Sequence, residues 1–149
     1  MDMKIDIRPI DILLVEDNLG DARLTQYGFA KANVPCRFHV AKDGSDALAF
    51  LHQRGVHPDA PRPHLILLDL GLPKKGGHDV LAAIKSDPDL WAIPVVILTG
   101  SEDLKDIAKV YDFNASCYLT KPSEPEQFEA LAQLLVNVWR TEGEARPDD

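Results

Sequence analysis

The chain has 149 residues, with 16 Lys and Arg against 24 Asp and Glu, a formal charge of −8 with histidine neutral, and 45% hydrophobic residues. A chain of this size buries roughly 68–70% of its unfolded surface as one domain, which excludes a need for disulfides or a structural metal to hold a core. The acidic balance also excludes nonspecific attachment to a phosphate backbone, which depends on clustered Lys and Arg, so no direct nucleic-acid partner is expected.

Acidic residues at positions 2, 6 and 11 and Pro9 interrupt the start of the chain, where a secretion signal wants a basic region and then a continuous apolar one. The first apolar run, DILLVED, is followed by a helical pattern from Asp21 to Ala32, then RFHVA, then a helix from Ser45 to Gln53. Between the second helix and the third strand, RGVHPDAPRPH carries three prolines and a glycine, which reads as a long irregular connection inside one domain. HLILLDL precedes a helix from His78 to Ser86, IPVVILTG one from Glu102 to Asp112, and SCYLT one from Pro125 to Arg140.

Five strands and five helices in succession predict an α/β fold, a (βα)5 doubly wound parallel sheet with right-handed crossovers and helices on both faces. The strands are near-continuous Ile, Leu and Val, as burial on both faces requires. The domain is expected to span 1–149, with its core over about 10–140, a charged and frayed tail over 141–149, and no room for an output domain. Ile12 to Val15, Leu65 to Leu68 and Val95 to Leu98 are each four residues long, against the ~20 of a membrane helix. Cys36 and Cys117 have no C-x-x-C spacing and are expected to be buried, reduced thiols in a cytoplasmic protein.

Ligands of open parallel sheets sit outside the carboxyl ends of the strands, near the point where strand order reverses. There the chain offers Glu16 and Asp17 after the first strand, Asp69 after the third, Thr99 at the end of the fourth and Lys121 after the fifth. Grouped carboxylates repel, and a divalent cation removes the conflict. Oxygen ligands favour Mg²⁺, with Mn²⁺ as a substitute, over zinc, which would want His or Cys. Lys121 and Thr99 suit the oxygens of a phosphoryl group, and Asp69 is a carboxylate nucleophile able to form an acyl phosphate. Singly, each residue is as readily a cap, a turn or a solvated charge, Asp17 as a cap of the first helix included. Five of them at the right strand ends make the constellation.

LLVEDN with Glu16 and Asp17, LLDLGLP with Asp69, ILTG with Thr99 and YLTKP with Lys121 together resemble the receiver domain of two-component response regulators, a flavodoxin-like fold. The resemblance implies that Asp69 accepts phosphate from a histidine kinase. It implies that Asp17, Asp69 and the backbone carbonyl of Gly71 hold Mg²⁺, that Glu16 acts through metal-bound water, and that Thr99 and Lys121 bind the phosphate oxygens. Thr99 and Tyr118 take the family's switch positions, the Lys121–Pro122 bond is expected to be cis, and Arg23, Leu24, Tyr27 and Gly28 fall where receivers dock their phosphodonor. EDNLGDARLTQ, DLGLPKKGGHDVLAAIKSDP and the long final helix with Trp139 are most similar to stand-alone regulators that partner phytochrome-type kinases. That subgroup implies a bacteriophytochrome partner and a homodimer through the fourth helix, fifth strand, fifth helix and C-terminal extension.

Alternatives within the family are a chemotaxis-type or other orphan receiver acting as a phosphate sink or relay, and a pseudo-receiver that no longer takes phosphate. The pseudo-receiver normally loses the acceptor, the acidic pair or the lysine, and all are present. A metal-dependent phosphohydrolase wants a second acid two residues after the nucleophile, where this chain has Gly71. The expected activity is therefore a switch that catalyses only its own phosphotransfer and dephosphorylation.

Overall fold

The computed structural model describes residues 9–69, 77–99, 117–122 and 124–144. Within these ranges the elements run β1 (Ile10–Val15), α1 (Leu19–Lys31), β2 (Cys36–Ala41), α2 (Gly44–Leu51), β3 (Leu65–Leu68), α3 (Gly77–Ser86), β4 (Val95–Thr99), β5 (Cys117–Thr120) and α4 (Gln127–Glu144). The sheet is parallel throughout, in the order β2-β1-β3-β4-β5. Strand order therefore reverses between β1 and β3, which puts the ends carrying Glu16, Asp17 and Asp69 side by side.

Because successive strand residues point to opposite faces, the apolar runs supply two cores at once. Leu13, Val15, Ile66, Leu68, Val95 and Ile97 pack with Ala47 and Phe50 of α2 and Val80, Leu81 and Ile84 of α3. Their neighbours Ile12, Leu14, Leu65, Leu67, Val96 and Leu98 pack with Ala22 and Phe29 of α1 and Phe128, Leu131, Ala132 and Leu135 of α4. The helices thus cover both faces, as a continuous apolar strand demands. Among the described residues, no helix is long and apolar enough to cross a membrane.

Helix boundaries moved where local chemistry outweighed periodicity. The N-cap of α1 is Asn18, whose side chain accepts from the Asp21 N–H, so the helix begins before Asp21 and Asp17 is not its cap. Helix α2 ends at Leu51, and Gln53 then takes a positive φ of 56°. The last helix runs on to Glu144, past the point where a frayed tail was expected, because helix-breaking proline does not recur until Pro147. Cys36 is only partly buried, and its burial still pushes the thiol pKa up. The fourth predicted helix, Glu102–Asp112, lies outside the described residues.

A polar cluster sits in β1 far from the carboxyl ends. The Asp11 carboxylate accepts from Arg37 Nε at 3.1 Å and Nη2 at 3.2 Å and meets His39 Nε2 at 2.9 Å. Burial pushes the Asp11 pKa up, but the hydrogen bonds and charges of His39 and Arg37 outweigh it and hold the carboxyl below its ordinary range. A lowered carboxyl pKa contributes stability that is present above the unfolded value and is lost as pH falls through the folded one. Asp11→Asn is therefore expected to cost about 1–2 kcal/mol near neutral pH, the cluster being half exposed through Arg37. The gap in melting temperature from the unsubstituted protein should close as the pH falls below the ordinary carboxylate range and Asp11 takes up its proton; a gap that stays constant over the acid range would contradict the assignment.

His52 Nε2 meets Asp87 Oδ2 at 3.0 Å, and His57 Nε2 meets Asp46 Oδ1 at 2.8 Å. His64 accepts the Asp11 backbone N–H on Nδ1 at 2.9 Å. These histidines, to which sequence reasoning assigned no chemistry, fasten α2 and the proline-rich connection to their neighbours.

Candidate functional site

Two backbone bonds prolong the ladder beyond the strands and set the site. Glu16 N–H donates to the Ala41 carbonyl at 2.9 Å, and Asp69 N–H donates to the Val15 carbonyl at 3.1 Å. They hold both residues in register at adjacent strand ends, and both are buried. The turn that follows is locked by Asn18, whose backbone N–H donates to Glu16 Oε2 at 3.2 Å. Asp17 lies exposed at the rim of this turn. Carboxylate oxygens of Glu16, Asp17 and Asp69 all come within 4.8 Å of one another.

Lys121 reaches across from the end of β5. Its Nζ lies 2.8 Å from Glu16 Oε1, 2.9 Å from Asp21 Oδ2 and 3.1 Å from Asp69 Oδ2. An ammonium has three N–H donors, and here each faces a different carboxylate. Burial alone would lower the Lys121 pKa, but hydrogen bonds to Glu16 and Asp21 and the charges of Asp69 and Glu16 raise it, so the side chain stays charged. The Glu16 pKa is raised as well, because burial and the Asp69 charge outweigh the Lys121 contact and push its carboxyl up to about 7. The site thus holds more negative charge than Lys121 neutralises.

That surplus, with oxygen donors from three residues in reach of one point, fits a hard divalent cation. Histidine and cysteine are absent from this group, which separates it chemically from a zinc site. The structure brings together Glu16, Asp17, Asp69 and Lys121 as expected. Thr99 ends β4 opposite Thr120, and Tyr118 pairs with Ile97; for Thr99 and Tyr118 this register is the whole of what is described. Gly71 lies outside the described residues.

Two expectations need correction, and one partner was missed. No peptide bond among the described residues is cis, Lys121–Pro122 included; the trans form is intrinsically favoured by about 0.5–1 kcal/mol before proline, and Lys121 reaches all three carboxylates with it. Gly28 is not on an open docking face, because it packs on the Phe128 backbone of α4. Asp21, which sequence reasoning used only to mark the start of the first helix, is a direct partner of Lys121 at a separation of 100 residues.

Comparison with known proteins agrees with this geometry. Residues 12–133 match the response regulator receiver domain family. The chain belongs to that family. The receiver is 44% identical to the response regulator Rcp1 of Synechocystis over 131 residues, covering 88% of this chain and 89% of Rcp1. Among solved structures, the phosphorylated cyanobacterial phytochrome response regulator RcpA superposes with a TM-score of 0.83 at 44% identity, covering 89% of this receiver and 95% of that chain. The Mn²⁺-bound form of Rcp1 gives 0.80 at 44% identity over 88% and 94% of the two chains. The bacteriophytochrome response regulator RtBRR gives 0.74 at 35% identity over 88% and 78%. The chain is thus a response regulator signalling protein related to Rcp1 and RcpA.

Proposed function

We propose that this receiver accepts a phosphoryl group on Asp69 from a phytochrome-type histidine kinase, with Mg²⁺ bound by Asp17, Asp69 and the Gly71 carbonyl and by Glu16 through water. The observation that carries this reading is the convergence of Lys121 with Glu16 and Asp69 beside Asp17 at the strand-order reversal. In the transfer, an Asp69 carboxylate oxygen forms a bond to phosphorus while the P–N bond to the donor imidazole breaks and the imidazole leaves. Lys121, already on Asp69, offsets the charge arriving on the phosphoryl oxygens, and Thr99 supplies a hydroxyl donor from the end of β4. Mg²⁺, when bound, neutralises phosphoryl oxygens and relieves the repulsion among the carboxylates; Mn²⁺ substitutes for it, as the Mn²⁺-bound form of Rcp1 suggests.

Phosphorylation adds about −1.5 to −2 charges at this rim. Thr99 and Tyr118 are proposed to turn toward it and so change the face made by the fourth predicted helix, β5 and α4. Through that face and the C-terminal extension two copies pair, a reading supported by the run of α4 to Glu144 and by exposed Leu134. Hydrolysis of the aspartyl phosphate by the same site resets the switch.

The phytochrome pairing is tested by transfer from an autophosphorylated phytochrome-type kinase, with an unrelated histidine kinase as control and size-exclusion elution recorded on the same samples. The expected result is Mg²⁺-dependent transfer at least about tenfold faster from the phytochrome-type kinase, a preference worth about 1.4 kcal/mol in transition-state binding, and elution as a dimer. Equal rates from both kinases would remove the pairing, and elution as a monomer in both phosphorylation states would remove the dimer.

A further inference from the structure

The carboxylates around Lys121 fall into two overlapping sets. Glu16, Asp17 and Asp69 form the group whose oxygens share one point, and Asp21 stands outside it. Glu16, Asp21 and Asp69 form the group that holds Lys121. Glu16 and Asp69 therefore belong to both sets, and a divalent cation and the Lys121 ammonium compete for them. Among the described residues, Asp21 pairs with Lys121 and does not join the cation group.

The shared carboxylates are deep, with side-chain exposures of 1% for Glu16 and 10% for Asp69, whereas that of Asp21 is 35%. Asp21 is also fixed in place, since its backbone N–H is held by the Asn18 side chain and its carbonyl accepts from Thr25 Oγ. It thus engages the ammonium from the rim side at 2.9 Å, while Glu16 and Asp69 hold it from the buried side at 2.8 and 3.1 Å. We infer that Asp21 is a positioning residue that holds a share of the Lys121 ammonium and so limits how tightly it pairs with Glu16 and Asp69, so that a divalent cation can enter without losing the lysine from the site. This rests on the reading of the site as a metal-assisted phosphoryl acceptor.

Without Asp21, the ammonium has Glu16 and Asp69 left and pairs with them more tightly. The inference is that Asp21 acts on the cation through Lys121, and not merely by the field of its own charge. A field acts whether or not Lys121 is present; a share in Lys121 acts only when it is.

A double-mutant cycle separates the two. Mg²⁺ affinity is measured by titration calorimetry for the unsubstituted protein, Asp21→Asn, Lys121→Met and the double variant, with Lys121→Gln as a second background should methionine not fold there. Asp21→Asn is expected to weaken Mg²⁺ on the order of fivefold when Lys121 is present and by less than about twofold when it is not, a coupling within the range of directly contacting residues. Equal weakening in both backgrounds, no change, or tighter binding in Asp21→Asn would overturn the inference while leaving the receiver reading intact. Failure of the unsubstituted protein to bind Mg²⁺ would overturn that reading and the inference with it.

Discussion

Lys121→Met is expected to destabilise the metal-free protein by about 3 kcal/mol, and Mg²⁺ is expected to restore most of it. Methionine keeps the apolar stem and removes the ammonium, leaving Glu16, Asp21 and Asp69 around a site with no counter-charge from Lys121. Breaking a buried ion pair from one side costs roughly 3–5 kcal/mol. The low end applies here because Asp21 is partly solvated and Glu16, already pushed up to about 7, can take up a proton. In a domain of this size the loss corresponds to a fall of roughly 6–12 °C in melting temperature. A raised carboxyl pKa costs stability as pH climbs above the unfolded value, so the fall should be larger at pH 8 than at pH 6. Mg²⁺ at a hundred times its dissociation constant returns about 2.7 kcal/mol by linkage. A variant as stable as the original without metal, or one that Mg²⁺ does not stabilise, would contradict this charge balance.

Gly28→Ala is expected to lower the melting temperature by roughly 4–8 °C, which corresponds to about 2 kcal/mol. On helical propensity alone the change should help, since alanine is favoured over glycine in a helix interior by about 1 kcal/mol. Here the added Cβ would fall inside contact distance of the Phe128 carbonyl and 2.8 Å from Phe128 Cβ. The obstacle is backbone of α4, which cannot swing aside as a side chain can, so α1 and α4 must separate over the core of Phe29, Phe128 and Leu135. Overpacking of this kind costs about 1–3 kcal/mol or more, enough to outweigh the propensity gain. Thermal denaturation followed by circular dichroism decides the sign, and an unchanged or higher melting temperature would show that the two helices do not meet this closely.

The sheet was legible in the sequence because buried parallel strands write themselves as unbroken Ile, Leu and Val runs. The β3 strand and all of β4 but its last residue are such runs, as is β1 from Ile12 to Val15, whereas β2 (CRFHVA) and β5 (CYLT) are mixed and were legible from their place in the strand-helix alternation. Glu16, Asp17, Asp69 and Lys121 were legible for a related reason: each follows directly on a strand, so its position at the rim is set by the strand's own register. Asp21 and Gly28 were not. Both owe their role to the packing of α1 against a part of the chain 100 residues away, and an acid in a first helical turn or a glycine in a helix carries no mark of such a partner. The histidines of the connection were opaque in the same way, since His52 and His57 find Asp87 and Asp46 only once α2 is folded onto its neighbours.

Asp21 also changes how the site is understood. Sequence reasoning placed Lys121 as a fixed positive charge waiting for phosphate. The structure shows the ammonium already committed to three carboxylates, so accepting a phosphoryl group requires it to exchange partners. The most solvated of the three, Asp21, is the one whose release water offsets best.

The central claim, that Asp69 is the phosphoacceptor of a metal-assisted site, is tested most directly by intact mass spectrometry after incubation with acetyl phosphate and Mg²⁺, comparing the unsubstituted protein with Asp69→Asn. The account predicts one base-labile phosphoryl adduct on the unsubstituted chain, lost when Mg²⁺ is chelated beforehand and absent from the variant. An adduct of equal yield on Asp69→Asn, or none on an unsubstituted chain that binds Mg²⁺, would contradict it.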